Sequence, residues 1–114
     1  MSNTDNGALA PAEFLSSTEP VSVVAVGRLR PGFEPDHIHR LAKEAIPVVH
    51  AEKGCEQYVV HSELDDPRVF VFYERWSNGS DLLGHLRNPD LREYSDAFFK
   101  ALEFELRWLL PLSA

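Results

Sequence analysis

Only one cysteine, Cys55, stands in this chain of 114 residues. A lone thiol cannot close a disulfide within the chain, so nothing points to a stapled domain of an oxidising compartment. Basic residues are scarce as well. Eleven Lys and Arg face 18 Asp and Glu, a formal charge of -7 with histidines neutral. Such a balance repels phosphate backbones and anionic lipid surfaces, which removes nucleic acid and membranes from the expected partners and leaves solubility as its plain role. No apolar run approaches the length of a bilayer span. The first twenty residues lack the basic-then-apolar order of a secretion signal, so the cytoplasm is the expected location. A Gly-rich phosphate loop and a dinucleotide fingerprint are both missing. His37 and His39 lie two apart on a predicted helix and do not share a face. With no cysteine or carboxylate cluster beside them, no metal site is expected.

What is present suits one small globular domain: 44% hydrophobic and 25% charged residues, in a length that leaves no room for two cores. Residues 1–20, rich in Ser, Thr, Asn, Pro and Ala, read as a flexible tail, with a short docked turn at Ala12 to Leu15. Residues 21–114 form the domain. Val21 to Arg30 predicts a strand from its β-branched density, closed by Pro31-Gly32. Ile38, Leu41, Ala42, Ala45, Val48 and Val49 recur at helical spacing and predict a helix from Pro35 to Glu52. Pro47 should kink or loosen it, and Gly54 should end it. Glu56 to Glu63 and Val69 to Trp76 read as strands joined by a turn at Leu64-Asp65-Asp66-Pro67. Asn78 or Ser80 can cap a second helix carrying Leu82, Leu83 and Leu86. Pro89 interrupts it, and a further helix runs from about Asp90. The last segment fits a helix through Leu102, Leu106 and Leu109, or a strand through Phe104, Leu106, Trp108 and Leu110. The strand completes the order β-α-β-β-α-β, an α+β ferredoxin-like domain.

In that fold the helices cover one sheet face. Here both faces look dry: Phe70, Phe72 and Trp76 point one way along the third strand, and Val69, Val71 and Tyr73 the other. A second copy of the chain is the economical cover for the uncovered face, so a homodimer is expected.

Four segments in this order resemble the antibiotic biosynthesis monooxygenase family over roughly residues 21–110. They are Val23-Val24-Ala25-Val26 with Pro31-Gly32, Glu52-Lys53-Gly54-Cys55-Glu56-Gln57-Tyr58, Phe72-Tyr73-Glu74-Arg75-Trp76, and His85-Leu86-Arg87-Asn88-Pro89. The nearest likeness is to the quinol-monooxygenase branch. The resemblance implies a dimeric α/β barrel whose sheets face each other, with a pocket between sheet and helices in each subunit. It also implies oxidation of a phenol, quinol or anthrone by O2 with no flavin, metal or haem cofactor. One position departs from the pattern: many relatives follow the proline with a second histidine, and this chain has Asp90 there. The haem-degrading branch is a poor match, since the first strand carries no asparagine.

Oxygenation of this type needs a base near a substrate hydroxyl, donors for the resulting oxyanion and a water-excluding pocket. His85 is the base best suited by type; as a structural residue it would be tied to a backbone carbonyl or to Glu74. Glu74 either orients His85 or pairs with Arg28 or Arg75. Trp76 and Phe72 share the face of Glu74; Trp76 either stacks on a planar substrate or packs in the core. Tyr58 and Tyr73 are candidates for a hydrogen bond to substrate. His61 is expected near a strand end and exposed, His50 without a visible partner, and Cys55 as a small packing residue. Two other functions stay open: an isomerase on the same fold, and a binding dimer without chemistry. A large apolar pocket beside His85 favours the oxygenase. A polar pocket lined by arginines, of which Arg28 and Arg75 are available, favours the isomerase. A filled interior with His85 on the surface favours the binding dimer.

Overall fold

The computed structural model of the chain describes residues 9–112. Ala12–Leu15 form a short helix, α1, and Val21–Leu29 the first strand, β1. Pro35–His50 form α2, Cys55–Ser62 β2 and Val69–Trp76 β3. Gly79–Leu86 form α3; a single 3-10 turn, Pro89–Leu91, leads into α4, Arg92–Ala101, and the chain passes directly into β4, Leu102–Leu109. The four strands make one antiparallel sheet in the order β2-β3-β1-β4, the arrangement of a ferredoxin-like domain. The Val-rich β1 lies at its centre, paired on both sides.

The final segment is a strand. Alternation decides it: Leu102, Phe104, Leu106 and Trp108 turn inward while Glu103, Glu105 and Arg107 turn out, in register with β1 from Leu29↔Leu102 to Ser22↔Leu109. A helix would have put those charges on several faces at once. α2 begins with Pro35 in its first turn, where a missing N–H costs nothing. The helix continues through Pro47 to His50, and the carbonyl of Pro47 accepts from Ala51 N–H at 3.3 Å. Gly54, at φ 78°, then turns the chain into β2.

The core lies on one face of the sheet. Val21, Val23, Ala25, Phe70, Phe72 and Trp76 bury their side chains against Ile38, Ala42, Ala45 and Val49 of α2, Leu82 of α3, and Phe98 and Ala101 of α4. Residues 9–20 contribute as well: the turn expected at Ala12 to Leu15 is a helix whose Phe14 is buried, edge-on to Trp108 at 5.3 Å between ring centres. Residues 1–8, the rest of the expected tail, lie outside the described residues. The other sheet face carries Val24, Val26, Val71 and Tyr73, half-buried in the single chain, and the exposed Val59. No helix among the described residues is long and apolar enough to cross a membrane.

Candidate active site

Between the sheet and its helices is a cavity of about 110 Å³. Its wall is mostly apolar: Val23, Ala25, Phe72, Phe104, Leu106 and Trp108 from the sheet, and Ala45, Val49, Leu82, Leu86, Phe98 and Phe99 from the helices, with Leu9 from the segment before α1. Few polar side chains reach it. Tyr58, Glu74, His85 and Asn88 come together at one end, and Arg92, Tyr94 and Ser95 come from the start of α4.

Local rules place the histidine. Asn78 caps α3 by accepting from the Asp81 N–H at 2.8 Å. Gly79 N–H donates to the Ser17 carbonyl at 2.9 Å, tying the helix start to the end of the N-terminal segment. His85 falls in the last turn of α3, where unpaired carbonyls favour a positive charge. Its Nδ1 lies 2.7 Å from Glu52 Oε1, and its Nε2 lies 3.6 Å from Glu74 Oε1. All three side chains are largely buried, with exposures of 12–13%. Trp76 stacks on the imidazole at 4.6 Å between ring centres and 29° between planes, and donates its indole N–H to Glu74 Oε1 at 3.0 Å. Asn88 donates from Nδ2 to Glu52 Oε2 at 2.8 Å, so both oxygens of Glu52 are engaged.

Burial is the largest single influence on His85 and disfavours its charged form. The hydrogen bond to Glu52 and the charges of Glu74 and Glu52 outweigh it together, and the pKa is raised. Two carboxylates and an indole face thus favour the charged form of the imidazole by more than burial disfavours it. Tyr58, with its ring 5.9 Å from that of His85, has its hydroxyl pKa pushed up strongly by burial and then by Glu74 and Glu52, so it stays a neutral donor. Burial, Glu52 and Glu74 raise the Cys55 thiol too, which suits a packing role.

The residues singled out in the sequence separate into two groups. His85, Glu74, Tyr58 and Phe72 line the cavity. Trp76 is fully buried behind them, in contact with His85 and Glu74. Tyr73 is not part of this cavity: strand alternation turns it to the opposite sheet face, where its hydroxyl lies 3.3 Å from Ser22 Oγ. Glu74 pairs with neither arginine. Arg75 bonds Glu56 at 2.6 Å, and Arg28 is exposed on the far face. His61 is exposed, with Nδ1 3.0 Å from the Val71 carbonyl oxygen. His50 has a partner that the sequence did not reveal, the Tyr58 carbonyl oxygen 2.9 Å from its Nε2. Among the described residues no group of three His, Cys, Asp or Glu is placed to hold a metal. Glu52 and Asn88 were not anticipated as site residues. Glu52 is 33 positions from His85, and only its place in the Glu52-Lys53-Gly54-Cys55 turn hinted at it.

The sequence profile of the antibiotic biosynthesis monooxygenase family matches residues 20–97. A protein of Escherichia coli K12 named "Probable quinol monooxygenase YgiN" is 31% identical over 105 residues, spanning 80% of this chain and 97% of its own length. A conserved protein of Methanosarcina mazei has a crystal structure that superposes with a TM-score of 0.72 at 26% identity, covering 85% of this chain and 96% of that one. SnoaB of Streptomyces nogalater, a cofactor-independent oxygenase, shares the fold with a TM-score of 0.75 at 12% identity, over 84% of this chain and 96% of its own.

Proposed function

Because this chain belongs to the antibiotic biosynthesis monooxygenase family, we propose that it is a cofactor-independent monooxygenase that oxidises an aromatic phenol, quinol or anthrone with O2. The observation that carries the reading is an apolar cavity with a carboxylate and a buried imidazole at one end. An aromatic ring fits such a wall, and anion formation needs such an end. The alternatives fare worse. Arg28 and Arg75 do not line the cavity; Arg92 does, but in a wall that is mostly apolar, which counts against an isomerase. The interior is not filled, and His85 is not on the surface.

The roles divide as the electrostatics suggest. Glu74 takes the substrate proton; the carboxylates around His85 favour its charged form, in which the imidazole stabilises the anion. Phe72 packs on the ring, Tyr58 donates toward an oxygen, and Trp76 holds His85 and Glu74 in place. For an anthrone-type CH2 the chemistry balances without a further reductant. The anion passes one electron to O2, and the radical pair joins through a new C–O bond. The peroxide takes back the proton from Glu74. Loss of the second C–H proton then breaks the O–O bond, leaving a carbonyl on carbon, and the hydroxide released takes that proton to become water. Carbon gives up four electrons and O2 accepts four.

The reading includes a homodimer formed through the open face around Val24, Val26, Val71 and Tyr73, and a small aromatic substrate with O2 as the reaction's partners.

Oxygen consumption with a panel of anthrones, naphthols and quinols, with no cofactor added, tests this. Uptake above autoxidation is expected, falling about 10²- to 10⁴-fold in Glu74→Gln. Absence of enzyme-dependent uptake across the panel would overturn the oxygenase reading.

A further inference from the structure

His85 separates two spaces. One is the interior cavity; the other is an outer groove bordered by Lys53, Asp81, Gly84 and Asp90. His85 and Asn88 border both, whereas Glu74 borders only the cavity and Glu52 only the groove. Glu52 therefore stands behind the imidazole as seen from the cavity, too far back to touch a substrate there. We propose that Glu52 is the positioning residue of the site, fixing His85 through Nδ1 so that Nε2 and its proton face Glu74 and the substrate anion. This rests on the oxygenase reading for its consequence in catalysis, though not for its geometry.

Three observations carry it. The Nδ1–Glu52 contact, at 2.7 Å, is a full hydrogen bond, while the Nε2–Glu74 contact, at 3.6 Å, lies beyond hydrogen-bond distance. The ring is thus anchored on the groove side and left available on the cavity side. Asn88 in turn anchors Glu52, and it is itself fixed by accepting from Asp90 N–H at 2.9 Å as cap of the 3-10 turn. Asp90, where many relatives carry a second histidine, so supports this chain of contacts through its backbone. The groups around His85 are Glu52 from the α2–β2 turn, Tyr58 from β2 and Glu74 from β3. Lys53, Asp81 and Asp90 lie along the groove, and Arg92 along the cavity. Glu52 alone among them makes a short hydrogen bond to the imidazole, and that bond is the strongest influence favouring its cationic form.

NMR of the ring nitrogens tests the geometry without any substrate. In the native protein, below its raised pKa, His85 should carry protons on both nitrogens, with Nδ1–H slow to exchange. In Glu52→Gln it should titrate at lower pH, and Glu52→Asp, which keeps the charge, should recover most of the change. In oxygen uptake, Glu52→Gln should lose about 10- to 100-fold at neutral pH, the worth of a hydrogen bond to a charged group, and its alkaline limb should move to lower pH. A merely structural role would lower activity evenly across pH. An unprotonated Nδ1 in the native protein, or an unchanged His85 titration in Glu52→Gln, would overturn the inference. The native spectrum decides the matter if the variants do not fold. Failure of the uptake assay alone would strike the oxygenase reading and leave the geometry standing.

Discussion

At the scale of single residues, the centre of this molecule is a histidine whose protonation is tied to folding. In the folded chain the His85 pKa is raised; in the unfolded chain it returns to the ordinary histidine value. The folded state therefore binds more protons between those two values. The stability contributed by this group is fully present below the unfolded pKa and is lost as pH rises through the folded one. Denaturant titrations across that window should show stability falling with pH in the native protein. His85→Gln should flatten that slope while lowering stability at the acidic end. A slope unchanged by the substitution would mean that another group carries it. The same imidazole explains Trp76. Its indole covers the imidazole face and its N–H satisfies Glu74, so this buried side chain serves the core and the site together.

At the scale of elements, α3 matters most because it carries His85. Its start is held from two sides. Asn78 supplies the side-chain cap, and Gly79 lies so close to α1 that an added Cβ would meet the Leu15 carbonyl oxygen at 2.4 Å and its carbon at 2.5 Å. Backbone cannot move aside as a flexible side-chain end can. Gly79→Ala should therefore push α1 and α3 apart, with a cost of about 1–3 kcal/mol in chemical denaturation, the range of overpacked cores. Faster proteolysis within residues 9–20 should accompany it, since Phe14 would lose its seat. A variant as stable as the native chain would show that α1 is not clamped as described. α2 contributes differently: its amphipathic stripe buries one face, and the turn after it delivers Glu52 to the far side of His85.

At the scale of the whole molecule, the sheet has one covered and one open face. The open one carries valines where a face meeting water would carry polar residues. Val26, opposite Val71 on one side and Glu105 on the other, lies near its middle. Val26→Asp should convert a dimer into a monomer in sedimentation equilibrium, because a charge buried between two apolar faces has no partner there. A native chain that sediments as a monomer would remove the homodimer from the proposed function.

The sequence alone determined the strand and helix order, because period-2 and period-3.6 patterns are local and the turn residues between them are strong. It also determined which side of β3 Phe72, Glu74 and Trp76 share, since alternation along a strand is a matter of geometry. The choice between strand and helix at residues 102–109 was left to packing, because both patterns were present and only the vacant edge of β1 distinguished them. The sequence also named His85, Glu74, Tyr58 and Phe72, which line the cavity, but tertiary structure alone completed the site. Glu52 and Asn88 meet through a contact between residues 36 positions apart, and Glu52 reaches His85 across 33. No local pattern records such a pairing. Glu74 had three candidate partners in the sequence, and the fold gave it Trp76 and His85, because Arg28 and Arg75 alternate to other surroundings. The raised pKa of His85 is likewise a tertiary property: burial opposes the shift, and carboxylates brought together from a helix–strand turn and a strand outweigh it.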